Sequence, residues 1–183
     1  HPFSFSSSGE ADGTVEVSIK ALGDFTETVG GLEVGTRAYI DGPHGVFSPD
    51  LYEGAGFCLI AGGVGITPTM SILRTFADRG DTRPIVAFVA SRTWEDATCR
   101  EELGALVGRL NLSLVHTLGQ PPPDWSGEVG RIDEAMLRRH LPAGSQRWQF
   151  FICGPNPMMD AMEDAILALE VAPSRVHTER FGW

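Results

Sequence analysis

The 183-residue sequence predicts an α/β fold: a five-stranded parallel sheet over residues 54–183, preceded by β structure over residues 1–53. Three observations predict it. From residue 55, continuous apolar runs alternate with helical patterns, as a parallel sheet with right-handed crossovers requires. Before residue 50 the chain alternates with period two and shows almost no helical period. Two apolar runs end in turns rich in glycine and proline, LIAGGVGITP at 59–68 and FICGPNPMM at 151–159, and each turn opens a helix.

The elements follow in order. TVEVSIKAL puts Val15, Val17 and Ile19 on one face of a strand, and TRAYIDGPHG is a second short strand running into a turn. DFTETVGGL is a short helix between them. Fifty residues bury too little surface for a robust independent domain, so this reads as part of a β domain. GFCLIA is then a buried strand, and PTMSILRTFAD a helix with Met70, Leu73 and Phe76 inward and Pro68 in its first turn. PIVAFVA, LSLVHTL, QFFIC and RVHTERF are the remaining strands. WEDATCREELGALVGRL, IDEAMLRRHL and NPMMDAMEDAILALE are the helices between, the last with Asn156 as N-cap, Pro157 first, and Met158, Met159, Met162, Ile166 and Leu169 on one side. QPPPDW at 120–125 is a loop.

Composition narrows the function. A net charge of −10 disfavours nucleic acid and anionic membrane as partners. Cys58, Cys99 and Cys153 stand far apart with no CxxC pair, which gives no basis for a zinc or iron–sulfur centre. The chain opens HPFSFSSS, without a signal-peptide pattern, and no apolar stretch approaches a membrane span. Three scattered thiols then fit a reducing, cytoplasmic setting.

The glycine turns carry the chemistry. Gly63 and Gly65 form GxG where a strand meets a helix, and Pro68 stands in place of the third glycine of the dinucleotide fingerprint. Bare backbone at a helix N-terminus suits a pyrophosphate. The simpler reading is a tight strand-to-helix turn. Cys153 and Gly154 end another strand and can flank the same crevice; the plain alternative is a small buried thiol. Ser91 and Arg92 end the second strand, where a ribose is read. Arginine there suits a 2′-phosphate, unless Arg92 is solvated or pairs with Glu95 or Asp96.

These motifs, in this order, resemble the pyridine-nucleotide domain of the ferredoxin-NADP reductase superfamily. HPFS at residues 1–4 resembles that family's Arg-x-Tyr-Ser flavin motif, in the form typical of ferric-chelate reductases and NADPH oxidases. ALGDFTETV resembles its second flavin segment, IDGPHG its DGP-G turn, and HTERF its closing Glu-x-Phe. The resemblance covers essentially the whole chain. It implies a Rossmann-like NAD(P)H domain at 54–183 and, at 1–53, the C-terminal part of an antiparallel β-barrel that binds FAD. It also implies that about the first half of that barrel precedes HPFS, so that the chain is part of something longer.

The resemblance implies roles as well. His1 would meet the FAD phosphates, Pro2 belongs to the same motif, Phe3 would stack on the isoalloxazine, and Ser4 would bond near its N5. Gly23, Asp24, Phe25 and Thr26 would hold the FAD pyrophosphate. Gly63, Gly65, Thr67 and Pro68 would line the nucleotide's pyrophosphate, and Ser91 and Arg92 its 2′-phosphate. Cys153 and Gly154 would border the nicotinamide. Glu179 and Phe181 match the terminal pair, with Trp183 a candidate to share the stacking. Plain alternatives stand beside these: Phe3 as core, Thr26 as a helix cap, residues 6–8 as a polar loop.

The implied activity is hydride transfer from NADPH, with NADH less suited, to FAD, catalytically framed by Ser4, Cys153, Glu179 and Phe181. Single electrons then pass to a haem-bearing transmembrane domain of the same polypeptide, to ferric iron or oxygen, or to a separate acceptor protein. The location implied is the cytosolic face of the membrane, if the chain belongs to a larger membrane protein. A soluble reductase feeding an iron–sulfur oxygenase partner is the second reading, and a non-enzymatic NADPH-binding module the third.

Overall fold

The computed structural model describes residues 1–181. Its centre is a six-stranded, wholly parallel sheet: β1 (Phe57–Gly62), β2 (Ile85–Ser91), β3 (Leu112–Leu118), β4 (Glu128–Val129), β5 (Gln149–Cys153) and β6 (Val176–Glu179), in the order β4-β3-β2-β1-β5-β6. One strand more is present than the sequence predicts. β4 is two residues long, too short to carry any periodicity, and pairs only with Thr117 and Leu118 at the sheet edge.

Helices cover both faces: α2 (Ile66–Arg79) and α3 (Arg100–Val107) on one, α4 (Glu134–His140) and α5 (Asn156–Ala168) on the other. Alternation along β1 divides the core. Cys58 and Ile60 join Phe150, Ile152, Met159, Met162 and Ile166 on the α5 face. Phe57, Leu59 and Ala61 join Met70, Leu73, Phe76 and Leu103 on the α2–α3 face. Phe76, Phe88 and Phe150 are fully buried, and truncating any one to alanine would cost about 3–5 kcal/mol.

Helix ends depart from expectation by small, explicable amounts. α3 begins at Arg100, because residues 94–99 turn first and Cys99 adopts a left-handed backbone at φ 59°. Asn156 is the first residue of α5, one position inside the expected cap, with Pro155 capping and Pro157 in the first turn. α4 starts as expected, with Asp133 accepting from the Met136 amide at 2.7 Å.

Residues 1–53 contain α1 (Asp24–Val29), a 3-10 turn at Pro49–Leu51 and one isolated antiparallel bridge, Phe5 with Val17. The expected strands at 14–22 and 36–45 do not form within this chain. A strand needs a neighbour for its N–H and C=O groups, and here Val15, Val17, Tyr39 and Ile40 remain exposed. The segment is nonetheless anchored. Phe47 meets Phe151 edge-on at 5.1 Å, Tyr52 stacks on His177 at 3.6 Å, and Gln149 Nε2 donates to the Glu53 carbonyl at 2.6 Å.

Candidate functional site

Strand order locates the crevice. β2, β3 and β4 lie to one side of β1, β5 and β6 to the other, so the chain changes direction between β1 and β5. Ligands of open α/β sheets bind at the C-terminal ends of the strands at such a switch point. Both glycine turns sit there, because Ala61 and Cys153 are partners in register.

The glycines do two different jobs. A Cβ on Gly65 would lie 2.0 Å from the Cys153 carbonyl oxygen and 2.8 Å from the Gly154 nitrogen. A Cβ on Gly154 would come within 3.2 Å of the Gly62 nitrogen and oxygen. Gly65 and Gly154 let the two turns touch backbone to backbone. Gly63 is different: its φ is +55°, and nothing lies within 4 Å of where its Cβ would be. Its backbone faces open space in a conformation that L side chains resist.

Beneath Gly63, α2 begins without an acidic residue in its first turn, so its positive end is not neutralised. Pro68 occupies that turn, where its missing N–H removes no helical bond. Thr67 is 2% exposed, and its buried Oγ1 has no hydrogen-bond partner among the described residues. A buried hydroxyl left unpaired is costly and marks a place where a partner is expected.

At the end of β2, Ser91 is half-buried and Arg92 exposed. Their carbonyls accept from the Gly119 amide at 3.0 Å and the Gln120 amide at 2.7 Å, which fixes the turn against the loop after β3. The alternative pairing of Arg92 with Glu95 or Asp96 does not form among the described residues; Asp96 takes the Thr93 hydroxyl instead. Sequence reasoning missed what lies beside them. Trp94 packs on the edge of His116 at 5.1 Å and on Trp125 at 5.2 Å, and Arg100 donates to the Trp94 carbonyl at 2.7 Å. Burial lowers the His116 pKa, which favours the neutral ring. The signal was the tryptophan in each of two loops that follow adjacent strands.

Cys153 is fully buried, and that burial, with a smaller contribution from the Glu179 charge, pushes its pKa up to about 12. It is a buried thiol at the end of β5, held in its protonated form. Glu179 is its register partner on β6, and burial raises the Glu179 carboxyl as well. Phe181 follows, at the boundary of exposure. Trp183 lies outside the described residues.

The two N-terminal motifs meet. His1 stacks on Phe25 at 4.1 Å and 5° between planes, and Phe3 lies 6.4 Å from His1 and 6.3 Å from Phe25. His1, Pro2 and Phe25 are exposed, Phe3 and Ser4 half-buried. Gly23 caps α1 with extended backbone. Thr26 Oγ1 accepts from the Gly23 amide at 3.0 Å and the Leu22 amide at 2.9 Å. Thr26 is thus not the N-cap itself but the third helical residue, bonding back to the capping Gly23, while Asp24 stays exposed in the first turn. No group of three His, Cys, Asp or Glu side chains converges on a metal position among the described residues.

Comparison with known proteins adds the family. The family described as "Oxidoreductase NAD-binding domain" matches residues 59–164. NADH-cytochrome b5 reductase 1 of Pyricularia oryzae is 33% identical over 177 residues, covering 92% of this chain and 57% of that protein. The Aspergillus terreus protein of the same name is 32% identical, covering 93% of this chain and 60% of its own length. The chain thus spans somewhat over half the length of these relatives. Among solved structures, the cytochrome b5 reductase domain of Ulva prolifera nitrate reductase superposes with a TM-score of 0.77 at 22% identity, covering 97% of this chain and 76% of that one. The flavohemoglobin of Malassezia yamatoensis gives 0.77 at 23% identity, covering 97% and 50%; at such identities the agreement is one of fold.

Two finer expectations gain no support from these relatives. The relatives are cytochrome b5 reductases, so the HPFS form does not assign the chain to ferric reductases or NADPH oxidases. Their names specify NADH, and the exposed Arg92, held by no partner among the described residues, is a weak basis for ranking NADPH above it. The match over 59–164, the parallel sheet and the glycine turns at its switch point together make the chain a member of the oxidoreductase NAD-binding domain family, within the ferredoxin-NADP reductase superfamily.

Proposed function

We propose that this chain is the nucleotide-binding part, with a portion of the flavin-binding part, of an NAD(P)H-dependent flavin oxidoreductase whose electrons pass to a haem protein. One observation carries the reading: Gly63 holds open left-handed backbone above the unpaired, buried Thr67 hydroxyl, at the switch point beside Cys153 and Gly154. This fits a nucleotide pyrophosphate. Phe3, 6.3 Å from Phe25 and tilted 27° to it beside the His1–Phe25 stack, offers an aromatic ring for a flavin. Bound flavin supplies the hydride acceptor and one-electron donor of such enzymes.

The chain's own residues would divide the work. Gly63, Gly65, Thr67 and Pro68 would bind the nucleotide's diphosphate, and Ser91 and Arg92 its ribose. Cys153 and Gly154 would wall the nicotinamide pocket. The raised Cys153 pKa supports a steric role over a nucleophilic one. Ser4, Glu179 and Phe181 would line the flavin edge, with His1, Pro2 and Phe3 against its phosphates and ring, and Gly23, Asp24, Phe25 and Thr26 at its pyrophosphate. Residues 1–53 would be the C-terminal part of a flavin barrel and 54–183 the nucleotide domain. The nucleotide is NADH or NADPH.

The relatives' names favour a haem acceptor such as cytochrome b5; ferric iron and oxygen stand behind it. No helix among the described residues is long and apolar enough to cross a membrane, so a membrane-bound haem would belong to another segment or another protein. We place the chain on the cytosolic side.

Thr67→Val tests the reading, because valine keeps the shape and removes only the orphan hydroxyl. A hydrogen bond to a charged group is worth about 1.5–3 kcal/mol. NADH and NADPH affinity, followed by nucleotide fluorescence, should therefore fall about 10-fold or more, while the nucleotide-free protein unfolds no more easily than the parent, because an unpaired buried hydroxyl has been removed. Unaltered affinity for both would contradict it.

A further inference from the structure

The polar face of α2 is built to hold an extended strap. An amphipathic helix normally turns such a face to water. Here Ser71, Arg74 and Thr75, spaced three and four apart on one face, each hold a backbone group of residues 6–9. Ser71 Oγ donates to the Ser7 carbonyl at 2.7 Å, Arg74 to the Ser6 carbonyl at 2.6 Å, and the Gly9 amide donates to Thr75 Oγ1 at 2.8 Å. Ser6 and Ser7 are correspondingly buried, at 5% and 8% exposure. They are a docked segment, not the plain polar loop the sequence allows.

Arg74 is the hub. Its guanidinium also forks onto both carboxylate oxygens of Glu102 at 2.7 and 2.8 Å and reaches Glu16 at 2.9 Å. Its side chain is only 23% exposed. An exposed single pair would be worth little, but a bidentate, shielded network that also satisfies a buried carbonyl specifies geometry. Through it three pieces meet: α2, which begins at the Gly63–Thr67 turn; α3, which follows Ser91 and Arg92; and the strap, which continues the HPFS residues. Ser6 lies two residues past Ser4, at most about 7 Å of chain. Arg74 stands seven residues along α2 from Thr67, about 10 Å.

We propose that Arg74 is a positioning residue for hydride transfer: it fixes the strap, and with it Phe3 and Ser4, at a set distance from the nucleotide turn. The proposal rests on the function given above. Donor and acceptor atoms must approach to about 3–3.5 Å, and a displacement of about 1 Å can cost on the order of 100-fold. Arg74 touches neither ring.

The test uses Arg74→Met, which keeps the stem and removes the fork, with Arg74→Lys and Ser71→Ala beside it, on the FAD-supplemented chain. Hydrogen exchange of residues 1–10 reads the strap directly. It should quicken at least several-fold in Arg74→Met, less in Arg74→Lys, and in Ser71→Ala should quicken at residues 6–9. NAD(P)H affinity should stay within about 2-fold, while the hydride step slows on the order of 10- to 100-fold at unchanged KM; lysine should restore part of the rate. Unchanged exchange at residues 1–10 overturns the proposal, as does a rate loss matched by an equal loss of nucleotide affinity. If the unaltered chain transfers no hydride, the functional reading fails, and unchanged exchange in Arg74→Met still separately refutes the strap.

Discussion

Adding one methyl group to Gly65 should damage this protein more than adding one to Gly63, though both belong to the same three-glycine turn. In Gly65→Ala the new Cβ would sit 2.0 Å from the Cys153 carbonyl oxygen, 2.3 Å from its carbon and 2.8 Å from the Gly154 nitrogen. All three are backbone atoms of a strand end locked in register with β1 and β6. Neither side can yield like a flexible side chain, so the cost belongs at or above the upper end of overpacking penalties, about 3 kcal/mol. For a chain of this size each kcal/mol moves Tm by about 2–4 °C, so Tm should fall by roughly 6–12 °C. In Gly63→Ala nothing lies within 4 Å of the methyl, and only the φ of +55° is penalised. That costs about 1–2 kcal/mol, while the methyl projects where a diphosphate would approach. Calorimetry and nucleotide titration on both variants separate the effects: Gly65→Ala is mainly a stability defect, Gly63→Ala mainly a binding defect. A Gly65→Ala protein as stable as the parent would refute the backbone-contact account. A Gly63→Ala protein that binds nucleotide normally would refute the open-cradle account.

Two further outcomes follow from the charges. Arg92→Ala should weaken NADPH binding by about 10-fold, the low end for an exposed charge-assisted contact, and NADH binding little; equal losses for both would remove Arg92 from 2′-phosphate recognition. Stability should fall as the solution is acidified. Arg79 beside Asp50, Arg83 beside Asp81 and Arg74 beside Glu102 hold these carboxyls below their ordinary values. Below the unfolded-state pKa the unfolded chain binds more protons than the native one. The stabilisation is therefore complete above the ordinary carboxylate range and lost as pH drops through the lowered folded-state values. Glu179, raised by burial, acts in the opposite sense. Urea unfolding between pH 3 and 7 checks this, and a midpoint flat across that range would contradict it.

The sheet was legible because its signals are local and redundant. β1, β2 and β5 are largely apolar runs buried along most or all of their length, β3 mixes buried Leu112, Val115 and Leu118 with polar positions, and the glycine turns mark where β1 and β5 end. β4 was not, since two residues pinned by the Trp125–Glu128 contact carry no pattern. The first fifty residues misled for a different reason. Period-two alternation records a preference for a pleated surface, but a strand exists only where a neighbour supplies hydrogen bonds, and here only the Phe5–Val17 bridge forms. In the site, the two glycine turns were legible as motifs that can share one end of the sheet, and the structure sets Gly65 against Cys153 and Gly154. What no motif revealed was contact at long range: Trp94 on His116, and Arg74 on the Ser6 carbonyl, 68 positions away. The closing Glu179 and Phe181 read as a family ending, yet only the structure shows Arg180 between them tied to Asp160 and Glu163 of α5.

The most direct test of the central claim is an absorption spectrum of the purified chain with FAD, titrated anaerobically with NADH and, separately, with NADPH. The account predicts protein-bound flavin bands that bleach on adding at least one of the two nucleotides. Bound flavin that stays oxidised while both nucleotides bind would contradict it.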